Sequence, residues 1–320
     1  MFHAQNIPIH LENDFHYCRE IVRKSADQHS LESLLVPRKL RPFLFAIFAF
    51  AKTADDFTGL PGRDDAARLR LLDDWSRRLL QAESGTPDHP IFRALSHTLD
   101  VTTLPSVYLH ELLIACRMNI TNKRYESIME LEEYCRYAAN PIGRIIMHLA
   151  GEVIQEHHQP VPLKIRFSDA NCTAIMLTHL WQNLGQDPWS GRPLYLPTDE
   201  MNHFGVTEEM ILARRFTPML GEMMLHLVSE TRLLFHQGQP LMDMLQWPLK
   251  LELATILEQE LAILDKIEAN GGNTLRSKPQ LSSWTRASCL LRALTRSASP
   301  SPVQTSPRPI DPPNTSQDKK

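Results

Sequence analysis

Two adjacent carboxylates, Asp55 and Asp56, stand at the end of an apolar run that begins near Arg41. Asp and Glu side chains are seldom buried unless a cation or another partner neutralises them. Acids at the mouth of an apolar helix therefore indicate a cavity that holds a metal ion or another positive group. The same pair is also compatible with a solvated helix end, so it needs support from elsewhere in the chain.

A second set of oxygen-bearing side chains lies far along the chain. Asn183 and Asp187 are four residues apart in an apolar segment, and Gly191 and Arg192 follow them. Residues four apart are neighbours on one helix face. Two facing helices with such ligands could hold Mg²⁺, which keeps several waters and binds substrate phosphates through a few carboxylates. Arg192 could add a charge-assisted contact to a phosphate.

The elements that must position these residues are helices. Apolar residues recur at helical spacing, and only 12 of the 320 residues are glycine. Proline at Pro141 kinks one segment, and the helix over 64–83 carries charge on its outer face, including Arg68. The predicted helices span 14–27, 39–57, 64–83, 88–100, 106–121, 127–151, 162–187, 207–236 and 248–270. The predicted fold class is all-α, a single large helical domain with a central cavity.

Composition limits the classes of partner and compartment. A net charge of -3 and a pI of about 6.5 are not typical of nucleic-acid binding. The five cysteines are scattered without zinc spacing, which indicates reduced thiols in a cytoplasmic protein. The start of the chain lacks the features of a signal peptide. The longest apolar run, 43–51, is too short to span a membrane, although contact with the inner face of a membrane stays possible.

Composition also divides the chain into three parts. Residues 1–13 are predicted to be a flexible start, and residues 14–288 a helical domain. Residues 289–320 are predicted to be a disordered tail, because Pro, Ser and Thr dominate its sequence from Arg296 onward. Such a segment cannot bury enough apolar surface to offset the entropy that ordering costs.

The order of several motifs resembles the squalene/phytoene synthase family, the all-helical head-to-head prenyl transferases. The resemblance covers roughly residues 14–285. It is closest to bacterial hydroxysqualene synthases of hopanoid biosynthesis, which are often described as squalene synthases. The motifs that carry it are Phe15-His-Tyr-Cys18, Ala46-Ile-Phe-Ala-Phe-Ala-Lys-Thr-Ala-Asp-Asp56, Asn122-Lys-Arg-Tyr125, Tyr134-Cys-Arg-Tyr-Ala-Ala-Asn-Pro-Ile-Gly-Arg144 and Trp181-Gln-Asn183 with Asp187, Gly191 and Arg192.

The resemblance implies an isoprenoid-synthase fold and a specific reaction. Presqualene diphosphate would ionise, its cation would rearrange, and water would quench it to give hydroxysqualene or squalene. A sister synthase would supply this substrate from farnesyl diphosphate. Mg²⁺ would be bound by Asp55, Asp56 and Asp187, which with Asn183 are the candidate catalytic residues. The candidate substrate-binding residues are Lys52, Asn119, Tyr125, Asn140, Gly143, His179 and Arg192.

Departures from the family pattern support an alternative. Gly59, Asn119 and Asn183 stand where the family has Asp, and Lys52 stands where Arg is usual. Other family polar positions read Met176 and His179, and a phosphate-contacting Ser stretch reads Ser25-Ala-Asp-Gln-His29. Loss of a metal ligand typically costs on the order of 10–100-fold in metal affinity. The alternative is a catalytically impaired homologue that binds a prenyl diphosphate or a partner protein, as an assembly factor would.

Two structural questions stay open at this level. The Pro141–Gly143 kink could make room for a prenyl chain or serve helix packing only. Asn119, Asn183 and His179 could line the same pocket, or they could satisfy hydrogen bonds in the core, as most buried polar groups do.

Overall fold

The computed structural model describes residues 7–24, 38–122, 124–152 and 161–298. These residues form helices joined by loops, with no β-strand among them, and an isolated bridge pairs Tyr125 with Pro197. The α-helices are α1 (Glu12–Arg23), α2 (Arg41–Thr58), α3 (Asp65–Glu83), α4 (Pro90–Thr102), α5 (Val107–Thr121), α6 (Ile128–Ala138), α7 (Asn140–Leu149), α8 (Leu163–Asn183), α9 (Thr198–His203), α10 (Glu208–Leu212), α11 (Pro218–Gly238), α12 (Leu241–Met244), α13 (Leu249–Ala269) and α14 (Ser283–Ala298). Short 3-10 helices span Ile9–Leu11 and Asp187–Ser190. The predicted all-α class and single helical domain are confirmed.

The first half of the chain is built around α2. Its Phe, Leu, Ile and Ala residues make it apolar on nearly every side, and a helix of that kind is usually buried. α2 packs against α1, α4 and α5, and Phe43, Ile47 and Phe50 are 5% exposed or less. The indole of Trp75 on α3 donates to the Phe50 carbonyl at 3.3 Å. This packing fixes the carboxyl end of α2, where Asp55 and Asp56 lie.

The second half is built around α8, which packs against α6, α7, α11 and α13. Trp181 of α8 is 1% exposed, and its indole donates to the Thr231 hydroxyl of α11 at 2.8 Å. α5 joins the two halves, since Leu109 belongs to the first apolar cluster and Ala115 to the second. The segment that follows α8 is thereby placed near the end of α2.

Two predicted helices end differently in the structure. α8 ends at Asn183, and Asp187 begins a 3-10 helix, because a residue before proline disfavours the α conformation. Asn183 and Asp187 therefore do not share a helix face as predicted. The predicted 207–236 helix is two helices, α10 and α11, because Arg214 adopts a φ of 49° and ends the first of them.

The predicted disordered tail begins too early. Residues 289–298 belong to α14, and Cys289 and Ala293 are fully buried there. Residues 1–6, Ser25–His29 and 299–320 lie outside the described part of the chain, so the predictions for them stay predictions. None of the helices in the described ranges is both long and apolar enough to cross a membrane.

Candidate active site

Asp55 and Arg192 meet although 137 residues separate them. A guanidinium nitrogen of Arg192 donates to a carboxylate oxygen of Asp55 at 2.6 Å, and each side chain is about one-third exposed. Asp55 lies in the last turn of α2, where unpaired carbonyl groups carry partial negative charge. The carboxyl end of α2 is therefore a position that attracts cations, and Arg192 is the cation present.

Asp187 stands beside this pair. It begins the Asp187–Ser190 3-10 helix, and its carbonyl accepts from the Arg192 amide at 3.4 Å. Gly191 closes the turn with a φ of +77°, a conformation that side-chain-bearing residues rarely adopt. The pKa of the Asp187 carboxyl is raised to about 6, chiefly by burial; the charges of Arg192 and Lys278 oppose the rise, and the Asp55 charge adds to it. The Asp55 and Asp187 carboxylates are thus close enough to repel each other, and Arg192 is close enough to attract both.

Arg192 remains charged in this environment. Burial lowers the pKa of its guanidinium, but the Asp55 charge and hydrogen bond more than offset that effect, so the pKa lies above its ordinary value. The same two residues act on Cys116 of α5. Burial raises the pKa of the Cys116 thiol, and Asp55 raises it further while Arg192 lowers it. Cys116, and with it α5, therefore lies close to the Asp55–Arg192 pair.

Three packed tyrosine rings support the loop that carries Arg192. The rings of Tyr125, Tyr134 and Tyr195 lie with their centroids 5.4 to 5.8 Å apart. The Tyr195 hydroxyl donates to the side-chain oxygen of buried Asn119 at 2.7 Å and also interacts with Tyr134 and Arg192. Asn119 is therefore satisfied within the core and holds the loop that carries Arg192.

Lys52 and Asp56 form a separate pair on the exposed side of α2. They are one helical turn apart and make a short ion pair, and Asp56 is 55% exposed. Asp55 faces Arg192 while Asp56 faces Lys52, so the two adjacent acids do not share one cation. Lys52 is thus a second positive group within a turn of Asp55.

The other predicted site residues have contacts outside this cluster. Asn140 is buried and accepts from the Thr173 hydroxyl of α8 at 3.1 Å. A Cβ added to Gly143 would lie 2.5 Å from the Cys172 sulfur, so this glycine permits close packing of α7 on α8. The Nε2 atom of His179 lies 3.1 Å from a carboxylate oxygen of Glu260 on α13. Asn183 is the last residue of α8 and is partly exposed.

Sequence reasoning missed three contributors. Arg68, predicted on the outer face of α3, is only 14% exposed at its side chain; it donates to the Leu60 carbonyl at 3.1 Å and lies against Gly191. Tyr195 and Lys278 were not predicted to belong to the site. Arg68 follows a helical charge pattern that gives no sign of its inward position. Tyr195, by contrast, lies only three residues after Arg192 and could have been selected.

The acids fit a divalent cation only in part. Asp55 and Asp187 supply carboxylate oxygens of the type that Mg²⁺ prefers, and their mutual repulsion would be relieved by a cation. Within the described ranges, however, no three Asp, Glu, His or Cys side chains come together as a ready metal site. Among the described residues, Asp55 and Asp187 are therefore the two ligands brought together here, and waters and phosphate oxygens would have to complete the coordination.

Two cavities lie away from these residues. One of about 270 Å³ is lined by α11–α13 residues such as Phe235, Met242 and Leu257. One of about 720 Å³ lies near His97 and Leu104. Neither cavity is lined by Asp55, Asp56 or Asp187. The candidate site is therefore identified by its charges and hydrogen bonds and not by the size of a cavity.

Comparison with known proteins agrees with the arrangement of motifs. The profile of the family described as Squalene/phytoene synthase matches residues 22–285. A hydroxysqualene synthase of Zymomonas mobilis is 30% identical over 177 residues, covering 55% of this chain and 56% of that protein. A phytoene synthase of Arthrospira platensis is 25% identical over 291 residues, covering 88% and 93% of the two chains.

A solved structure shows the same relationship in three dimensions. The crystal structure of squalene synthase HpnC from Alicyclobacillus acidocaldarius matches with a TM-score of 0.74 and 32% identity, covering 83% of this chain and 97% of that one. A dehydrosqualene synthase in complex with ligand matches the fold with a TM-score of 0.72, at 21% identity over 90% of this chain and 97% of that one. With a family profile that spans most of its length, this chain belongs to the squalene/phytoene synthase family.

Proposed function

We propose that this protein converts presqualene diphosphate to hydroxysqualene. The observation that carries the proposal is the meeting of Asp55, Asp187 and Arg192, which joins the two motif regions at one charged position. A relative named hydroxysqualene synthase and a structural neighbour named squalene synthase support the choice of reaction. The reaction belongs to hopanoid-type triterpenoid synthesis in the cytoplasm.

Arg192 and Lys52 are the groups that would receive the diphosphate. Each now pairs with a carboxylate at the end of α2, so each has a charge that can be shared with a phosphate oxygen. Charge-assisted hydrogen bonds of this kind are the strongest a side chain makes. They stabilise negative charge as it develops on the departing diphosphate, which is where catalysis of ionisation must act.

Asp55 and Asp187 are the proposed Mg²⁺ ligands, and Asp56 would join them only by giving up its ion pair with Lys52. The family generally uses divalent metals through aspartate-rich motifs. Mg²⁺ at this place would neutralise diphosphate charge as a Lewis acid. The loop that carries Arg192 is held in position through Tyr195.

The chemistry balances without a further cofactor. The bond from carbon to diphosphate oxygen breaks, and its electron pair leaves with the diphosphate. The cyclopropylcarbinyl cation rearranges, water adds to it, and a proton is released to give the alcohol. A reaction that joins two farnesyl diphosphates must precede this step, so a sister synthase is the proposed partner.

A second candidate function follows from a specific observation. Gly59 and Asn183 replace acids of the family pattern, and the described residues hold no ready three-ligand metal site. These features favour a homologue that binds a prenyl diphosphate, or a partner protein, without turning the diphosphate over. Asn119, the third replaced position, accepts a hydrogen bond from the Tyr195 hydroxyl and does not distinguish the two functions.

Product analysis distinguishes the two. The purified protein is incubated with presqualene diphosphate and Mg²⁺, and released diphosphate and extracted apolar products are measured. Hydroxysqualene formation that is lost in Asp55→Asn supports the synthase. Substrate binding without diphosphate release, under conditions in which an active relative releases it, supports the non-catalytic homologue.

A further inference from the structure

α14 presents its large apolar side chains to the outside of the protein. Trp284 is 87% exposed, Leu291 64% and Leu294 44%. These residues recur at spacings of seven and three, so they form one stripe along the helix. Soluble helices normally turn such a stripe toward the core.

The opposite face of α14 holds it on the protein. Cys289 and Ala293 are fully buried, and each is two residues from Leu291, or about 200° around a helix. The Cys289 thiol donates to the Glu258 carbonyl of α13 at 3.5 Å, and Arg292 pairs with the Glu258 carboxylate at 2.9 Å. The outward stripe is therefore a consequence of firm packing on the small-residue face.

Another exposed tryptophan, Trp247, lies near the carboxyl end of α14. Ala293 packs with Leu251 and Ala254 near the start of α13, while Cys289 contacts Glu258 further along. α14 thus runs antiparallel to α13, which brings its carboxyl end toward Trp247, just before α13. Trp247 is 73% exposed. A tryptophan consequently stands near each end of the stripe, as in segments that lie at membrane–water interfaces.

The sequence segment that contains α14 is basic. Residues 269–310 contain six Lys or Arg and no Asp or Glu, in a chain whose net charge is -3. Arg286 is exposed on α14, about 80° around the helix from Leu294, and Arg276 is exposed in the preceding loop. A basic helix with an exposed apolar face is typical of an element that lies on an anionic lipid surface.

We infer that α14, together with Trp247, is a docking surface for an anionic membrane. The helix lies in the headgroup region, inserts Trp284, Leu291 and Leu294, and places Arg286 against anionic lipid headgroups. At 16 residues with several arginines it is too short and too charged to span a bilayer. Residues 299–320 offer little apolar surface to cover the stripe, because Val303 and Ile310 are the large aliphatic residues among them. This membrane contact does not depend on the proposed reaction.

Vesicle sedimentation tests the surface with the full chain. Two vesicle types are used, phosphatidylcholine alone and phosphatidylcholine with about one-third phosphatidylglycerol. The protein is expected to sediment with the anionic vesicles and to be released by high salt, which screens the arginine charges. Leu291→Gln is expected to weaken partitioning about tenfold, since one buried leucine is lost. Arg286→Gln is expected to weaken it about fivefold on anionic vesicles only.

The matched control is Leu80→Gln, since Leu80 of α3 is 55% exposed in a different place. It should bind vesicles as the unmodified chain does. A blue shift of tryptophan fluorescence on adding anionic vesicles to the unmodified chain, reduced in Trp284→Phe, gives a reading that needs no destabilising variant. Equal partitioning of Leu291→Gln and the unmodified chain overturns the inference. So does self-association that Leu291→Gln abolishes and vesicles do not compete with, because the stripe would then bind a second copy.

Discussion

Arg192 donates to Asp55 across 2.6 Å, and this contact joins the end of α2 to the loop that follows α8. The two residues come from the two motif regions of a synthase family, and Asp187 lies within electrostatic reach of both. The proposed diphosphate site depends on this relationship.

The Tyr195 hydroxyl should matter more than the Tyr125 hydroxyl. Tyr195→Phe removes the donor to buried Asn119 and should destabilise the fold by about 1–2 kcal/mol. Tyr125→Phe is the matched control. Its hydroxyl is buried and has no hydrogen-bond partner within the described structure, so its removal should be neutral or slightly stabilising. Urea unfolding of both variants measures the difference, and equal effects would contradict the assigned network.

Asp187 should make the metal-free protein less stable as pH rises. Its pKa is about 6 in the folded chain against an ordinary 3.8, so the folded state binds the proton more tightly than the unfolded state. The neutral form is fully favourable below pH ~4, and this stability is lost as pH rises through about 6. Asp187→Asn should therefore raise the melting temperature by about 2–4 °C at pH 8 and have little effect near pH 4.

Asp74→Asn provides a control of opposite sign. Hydrogen bonds from Arg78 and Arg77 lower the pKa of Asp74, so its ionised form is favoured in the folded chain. Its substitution should lower the melting temperature at pH 8. A shift for Asp187→Asn that is the same at both pH values would show that repacking, and not ionisation, causes it.

Gly59→Asp should strengthen metal binding. Gly59 follows α2 with a φ of -110°, which a side-chain-bearing residue can adopt, and it occupies the position of the missing family acid. The added carboxylate should raise Mg²⁺ affinity about tenfold. Gly59→Asn has the same shape without the charge and should not. Calorimetric titration with Mg²⁺ compares them, and equal affinities would place position 59 outside the metal site.

Gly143→Ala should destabilise through packing. The added Cβ would lie 2.5 Å from the Cys172 sulfur and 2.9 Å from the Ser168 hydroxyl, so α7 and α8 would have to separate at a cost of about 1–3 kcal/mol. Combining it with Cys172→Ala should recover part of that loss. If Gly143→Ala leaves stability unchanged and alters product distribution, the kink serves the substrate and not helix packing.

Local patterns predicted much of the fold because most helices have strong signals of their own. The break between α6 and α7 at Asn140-Pro141 was predicted because proline removes a hydrogen bond. α14 was missed because its stability lies in a tertiary contact. Among the residues of α14 whose burial is described, 283–295, the buried ones are Cys289 and Ala293, and these small residues give no apolar period in the sequence.

The candidate site was predicted less completely. The structure brings Asp55, Asp187 and Arg192 together, but their proximity arises from how two distant segments pack, which sequence spacing does not encode. The helix face expected to carry Asn183 and Asp187 does not exist, because α8 stops before Pro188. Arg68 has the spacing of a surface residue, and only the fold turns it toward Gly191.

Binding of a non-hydrolysable prenyl thiodiphosphate tests the central claim most directly. Calorimetry in the presence of Mg²⁺ measures binding by the unmodified chain, by Arg192→Gln and by the control Arg78→Gln. Arg78 is similarly exposed, and it pairs with Asp74 on α3 and with Asp88 in the loop after α3. Loss of a charge-assisted hydrogen bond should weaken binding by Arg192→Gln by about 10–100-fold, while Arg78→Gln should bind normally. Equal affinity of folded Arg192→Gln and the unmodified chain, or no binding by the unmodified chain, would contradict the proposed diphosphate site.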